Sequence, residues 1–134
     1  MPSCSTVVHR VARKEHRCYE CGGIIAPLDV YEYTSGVWDG RPDSFKVCQH
    51  CEEARDWLLE ETDWKENAWL EDGASFLFGE LREHLLEQAR EGQRQFSFRA
   101  YRFVVLMGRR RKARADAYNA ETERLIAARK DGAV

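Results

Sequence analysis

The 134-residue chain has no apolar run that approaches the roughly 20 residues a membrane-spanning helix needs; its longest is Phe103-Val104-Val105-Leu106-Met107. Its first residues, Met1-Pro2-Ser3-Cys4, lack the charged-then-apolar order of an export signal, so a cytoplasmic location is expected. No Gly-rich phosphate loop, Ser-His-Asp spacing or paired-carboxylate motif stands out, and there is no internal repeat or low-complexity segment. No histidine lies between Arg17 and Gln49, so a hairpin there has no imidazole to serve as the base of a metal-dependent nuclease. These absences favour a non-enzymatic protein.

What is present begins with five cysteines, four of them in two Cys-x-x-Cys pairs: Cys18-Tyr19-Glu20-Cys21 and Cys48-Gln49-His50-Cys51. An odd count and paired spacing in a chain without an export signal read as metal binding rather than disulfides. Two intervening residues let a tight turn bring both sulfurs to one ion at about 2.3 Å. Four thiolates complete a tetrahedral shell and leave no position for a reacting water, so one structural Zn²⁺ per chain is expected. A rubredoxin-type iron site would favour Gly after both pairs; here Gly22-Gly23 follows only the first, and Glu52-Glu53-Ala54-Arg55 continues the second as a helix. A knuckle, a hairpin and a ligand pair in the first turn of a helix make a treble clef, in which free N–H groups at the helix start favour thiolates.

Residues 1–17 read as a polar arm in which Val7, Val8 and Val11 are the apolar cluster. Ala26-Pro27-Leu28-Asp29 is a turn with Pro suited to its first corner. Val30-Tyr31-Glu32-Tyr33-Thr34 and Ser44-Phe45-Lys46-Val47 alternate as partner strands across Asp39-Gly40, giving a hairpin within residues 24–47. From Cys51 the period becomes helical, with Cys51, Ala54 and Leu58 on one face and Trp57 beside them. Residues 62–71, with Trp64 and Trp69, read as a linker. Asp72-Gly73-Ala74-Ser75 precedes a second helix with a face of Phe78, Leu81, Leu85 and Ala89, ended by Gly92. Ser97 is placed to cap a third helix running to Met107 on a face of Phe98, Tyr101 and Val105, although Phe96 to Val105 also satisfies a strand template. After Gly108, residues 109–130 carry a thin stripe of Ala115, Tyr118, Thr122 and Leu125. The expected fold is α+β: a treble-clef zinc module at residues 13–61 and a helical region at residues 62–131.

The stretch His16 to Ile25, with Val30-Tyr31-Glu32, Ser35-Gly36-Val37-Trp38-Asp39-Gly40, Phe45-Lys46-Val47-Cys48 and Phe78-Gly79-Glu80-Leu81-Arg82, resembles small treble-clef zinc proteins of bacteriophages and prophages. The resemblance covers about residues 13–90. It implies four cysteine ligands, a phage or prophage origin and hence a bacterial host cytoplasm, and it supplies no settled activity. Leu28-Asp29 stands where that pattern has Gly-Glu.

Charge is segregated. Residues 52–92 carry a net −9 and residues 93–134 a net +7, while the whole chain is −2. Internal pairing of the two segments is the plainer reading; a basic surface for a partner is the other. Arg109, Arg110, Arg111, Lys112 and Arg114 form the densest run, extended by Arg99 and Arg102 and interleaved with Phe96, Phe98 and Tyr101. Arginine with aromatics suits a host protein or protein complex, the partner expected first. Cations with stacking rings also suit nucleic acid, the alternative, through segment 94–114. At about 100° per residue the run spreads around its helix, so one groove cannot engage all of it. Cys4 with His9 is too sparse for a metal site; His16 and His50 flank or sit within the cysteine pairs, and His84 belongs at the edge of a packed face.

Overall fold

A computed structural model describes residues 4–38, 40–62, 78–92 and 94–132. The chain forms β1 (Cys4–Val11), β2 (His16–Arg17), β3 (Ile24–Ile25), β4 (Val30–Trp38), β5 (Arg41–Cys48), α1 (Gln49–Glu61), α2 (Leu81–Glu91) and α3 (Arg94–Gly132). The class is α+β. An antiparallel sheet in the order β1-β4-β5 stands beside a two-stranded β2-β3 ribbon.

The expected hairpin is present and longer than read: Tyr31 faces Cys48 and Trp38 faces Arg41, with Gly40 in the left-handed region at φ +76°. Ile24-Ile25 is not part of it, pairing with His16-Arg17 instead. The N-terminal arm is a correction too. Residues 4–11 are an edge strand, Cys4 opposite Val37 and Val11 opposite Val30. Val7 and Val11 stay over half exposed on it, so what holds the strand is the β4 backbone ladder together with Arg10, whose guanidinium lies 3.8 Å from the Tyr33 ring centroid. The Ala26–Asp29 turn closes as read: Asp29 N–H donates to Ala26 O, and the Asp29 carboxylate accepts from Ala26 N–H, each at 3.0 Å. Its third residue, Leu28, has φ +77°.

α1 begins two residues before Cys51 and buries Cys51, Ala54, Trp57 and Leu58, the face its period indicates. α2 buries Leu81 and Leu85 and ends before Gly92, whose N–H donates to Gln88 O. The linker around Trp64 and Trp69 and the Asp72–Ser75 start signal fall on residues 63–77, outside the described residues.

α3 differs most from expectation. Residues 94–132 are one helix of 39 residues, about 58 Å long at about 1.5 Å per residue. Gly108 does not break it: a single helical Gly costs only about 1 kcal/mol relative to Ala. Ser97 does not cap it either, since its hydroxyl donates to Ala89 O across the α2–α3 junction. The strand alternative for residues 96–105 is therefore replaced by helix, and the buried face is Ala100, Phe103, Val104 and Met107. Phe98 and Tyr101, read as the packed face, stand 77 % and 58 % exposed. Ala100 is fully buried, and its small side chain lets the backbone of α3 approach the rest of the core. No helix among the described residues is long and apolar enough to cross a membrane.

Candidate metal centre

Three local devices bring the four cysteines to the centre, the first of them a knuckle that carries both Cys18 and Cys21. β2 delivers Cys18, whose N–H donates to Gly23 O at 2.9 Å and whose carbonyl accepts from Gly22 N–H at 3.0 Å. The reversal needs a left-handed residue, supplied by Gly22 at φ +71°. Tyr19 N–H donates to Lys46 O at 2.8 Å and fastens this knuckle to β5, which ends in Cys48. The first turn of α1 supplies Cys51.

All four side chains are buried, none more than 4 % exposed, and all four are free thiols. Their Sγ atoms lie within 4.8 Å of one another. Cys21 and Cys48 Sγ are 3.8 Å apart. Disulfide sulfurs sit at about 2.05 Å, which excludes the bridged arrangement. A tetrahedron with arms of about 2.3 Å has edges of about 3.8 Å, so the spacing fits four sulfurs around one metal ion. Backbone amides support the cluster: Gly23 N–H points at Cys21 Sγ and Cys48 N–H at Cys18 Sγ, both at 3.3 Å.

Without a cation the sulfurs cannot ionise together. Hydrogen bonds from Cys18, Cys48 and Cys51 hold Cys21 far below the ordinary thiol range, and the same contacts push Cys18 and Cys51 up. Cys48 is drawn down to about 7, first by Cys18. Such proton sharing among buried sulfurs is relieved by a bound divalent ion.

The basic run turns out to be two surfaces. Arg110 donates to Ile24 O at 2.9 Å and Arg114 donates through Nε to Gly22 O at 2.7 Å, so both close over the knuckle. Burial works against the charge of Arg110, but the sulfurs of Cys48 and Cys21 outweigh it and raise its pKa. The approach is close enough that a Cβ at Gly23 would lie 2.8 Å from Arg110 Cβ. Arg109, Arg111 and Lys112 are exposed, and Lys112 pairs with Asp116 on its own helix at 3.0 Å. Arg102 is exposed; Arg99 pairs with Glu61 at 3.6 Å and lies over the Trp57 and Phe103 rings. Arg99–Glu61 is the one ion pair between the acidic and basic segments among the described residues, so internal pairing does not explain the charge segregation there.

Three polar devices were not read from the sequence. Glu20, between the first two cysteines, accepts from Gly79 N–H at 2.5 Å and Leu81 N–H at 3.1 Å, tying the knuckle to the start of α2. Its pKa is raised, because burial outweighs those amides. Glu32, 3 % exposed, receives a two-pronged pair from Arg55 at 2.6 Å for each contact. His9 lies 2.5 Å from Glu52, which raises its pKa. His9, Glu32 and Glu52 approach one another closely enough to share an ion, yet Arg55 already occupies both oxygens of Glu32. His16 packs tilted against Tyr31 with ring centroids 5.4 Å apart, and His50 packs edge-on against Phe103 at 5.7 Å, which places both as packing groups. His84 is partly buried beside Glu80, near the edge of α2.

Comparison with protein-family models, curated proteins and solved structures returns no match for this chain.

Proposed function

We propose that the four cysteines hold one structural Zn²⁺ in a treble-clef module, and that this module fixes α3 so that its outward face binds a partner. The reading is of a non-enzymatic phage-type protein that engages and modulates a host protein or nucleoprotein complex in the bacterial cytoplasm. Four sulfur donors would complete the shell of a tetrahedral ion, making it a structural support with no open position for chemistry. Four thiolates on Zn²⁺ leave a local charge of −2, and Arg110 is the cation that answers it.

The observation that carries the partner reading is the division of α3. Its inward arginines are used up on the knuckle, while Arg94, Phe98, Tyr101, Arg102, Arg109 and Lys112 share the opposite face at about 100° per residue. Exposed aromatics flanked by arginines are the residues that dominate protein interfaces. The test is capture from a bacterial lysate by the wild-type chain and by a Phe98→Ala, Tyr101→Ala, Arg109→Ala variant, with and without nuclease. Capture of defined proteins that survives nuclease and is lost in the variant is expected. Equal capture by both chains would refute the assignment of this face.

The same interleaving of rings and cations supports a second reading, binding of single-stranded nucleic acid. It requires affinity that falls with salt, by about one unit of slope per phosphate contact removed at Arg102, Arg109 or Lys112.

A further inference from the structure

Beside the outward face of α3 lies a cavity of about 480 Å³, walled by Phe98, Phe103 and Leu106, with Arg99, Arg102 and His50 around it and Glu53 on the α1 side. Phe103 belongs to the core, whereas Phe98 is 77 % exposed, so one wall is fixed and the other is an aromatic ring held in solvent. Together with Phe103 and Leu106 the ring of Phe98 makes a contiguous apolar surface, the kind that marks an interaction site. Arg99 is held in place by the Trp57 and Phe103 rings and by Glu61. Arg102, one turn from Phe98, has no ion pair among the described residues. Both ring nitrogens of His50 are buried there without a hydrogen-bond partner among the described residues.

We propose that this cavity receives an apolar side chain of a protein segment whose neighbouring carboxylates meet Arg99 and Arg102. The inference rests on the reading of α3 as a partner-binding helix and names the anchor that such a partner must carry.

Charge complementarity selects the occupant. Across the groove from Arg102, the exposed side of α1 presents Glu53, Asp56 and Glu60, and a second depression there is lined by these residues with Glu52 and Glu61. A nucleic acid would carry its phosphates into that acidic wall. A peptide places its charges residue by residue: an apolar side chain fills the slot between Phe98 and Phe103, and one or two carboxylates turn toward the arginines. An apolar pocket with a few convergent polar groups is the usual form of an anchor site.

The experiment uses the full chain purified with its metal and a dye-labelled short peptide of Gly and Ser with one central Phe flanked by two Asp. The same peptide with Ala in place of Phe and a labelled oligothymidylate are run beside it, by fluorescence anisotropy at physiological salt. The Phe peptide is expected to bind, with a loss on the order of tenfold when Phe becomes Ala and a similar loss in the Arg102→Ala and Phe98→Ala chains. Arg129→Ala with Lys130→Ala, in the last turn of α3 and well away from the cavity, should leave peptide affinity nearly unchanged. Circular dichroism confirms that every variant folds. Equal binding of the Phe and Ala peptides, abolished by Tyr101→Ala with Arg109→Ala, would overturn the anchor pocket and leave the outward face as a protein-binding surface. Binding of oligothymidylate with neither peptide bound would overturn both. Absence of binding by all three probes would overturn the pocket.

Discussion

Replacing Arg110 by alanine is expected to destabilise the cysteine-centred half of the fold and to hasten metal loss. Its guanidinium donates to Ile24 O at 2.9 Å and lies near the Cys21 and Cys48 sulfurs. A hydrogen bond from a charged donor is worth about 1.5–3 kcal/mol, and partial exposure of Arg110 places the expected cost at the lower end, about 1.5 kcal/mol. For a chain of this length that corresponds to a fall in Tm of about 5–7 °C. Arg110→Gln retains a donor for Ile24 O without the charge and should recover part of the loss. The assay pairs thermal melts with the rate at which a chromogenic chelator strips the metal. Arg109→Ala, one residue away and exposed, is the control and should match wild type in both. If Arg110→Ala melts and releases metal like wild type, or if Arg109→Ala does equal harm, the division of the basic run into inward and outward arginines is wrong.

Metal analysis of purified protein should return close to one zinc per chain. Cys48→Ser should unfold the N-terminal half, because the ion's contribution in such modules is about 10–16 kcal/mol, while Cys4→Ser should melt like wild type. Leu28→Gly should stabilise by about 0.5–1 kcal/mol in chemical denaturation, since it relieves a left-handed non-glycine residue that is 82 % exposed and packs on little; a loss of stability would refute the strain. Because Glu52 raises the His9 pKa, the stabilisation from that pair is complete below the ordinary value of 6.5 and fades as pH rises through the raised one. NMR titration should place His9 above 6.5, and Glu52→Gln should return it there.

The candidate centre was legible because its chemistry is local: two residues between cysteines, Gly22-Gly23 after the first pair and a helical period after the second. The buried face of α1 was legible for the same reason, as was the Ala26–Asp29 turn. Strand β1 was not. Its side chains are largely exposed, and only pairing with β4, far along the chain, makes those residues a strand. Glu20 capping α2 and Arg55 reaching Glu32 are likewise joined across distances that no spacing rule spans. In α3 the period announced a helix but the wrong face was chosen. Aromatic Phe98 and Tyr101 drew the eye inward, while the interior took Ala100, Phe103, Val104 and Met107, a smaller set that allows close approach. The arginine run read as one patch because a linear sequence does not show that Arg110 and Arg114 turn toward Ile24 and Gly22.

Among the described residues, Arg114 is the last side chain of α3 whose hydrogen bond reaches another element, and Tyr118, Leu125 and Ile126 beyond it are 68 %, 59 % and 50 % exposed. A free helix of about 15 residues is marginal in water, largely because its first turn is costly to form. Here that turn is already formed: the tail grows from a helix clamped at the cysteine centre, so only propagation remains. Unwinding should therefore proceed one residue at a time from the C-terminal side, with amide exchange slowing steadily from Lys130 toward Met107. Truncation after Ala117 should leave the melting of the remainder intact. The two halves of one continuous helix are thus expected to respond differently to heat, one melting with the cysteine centre and the other fraying independently of it.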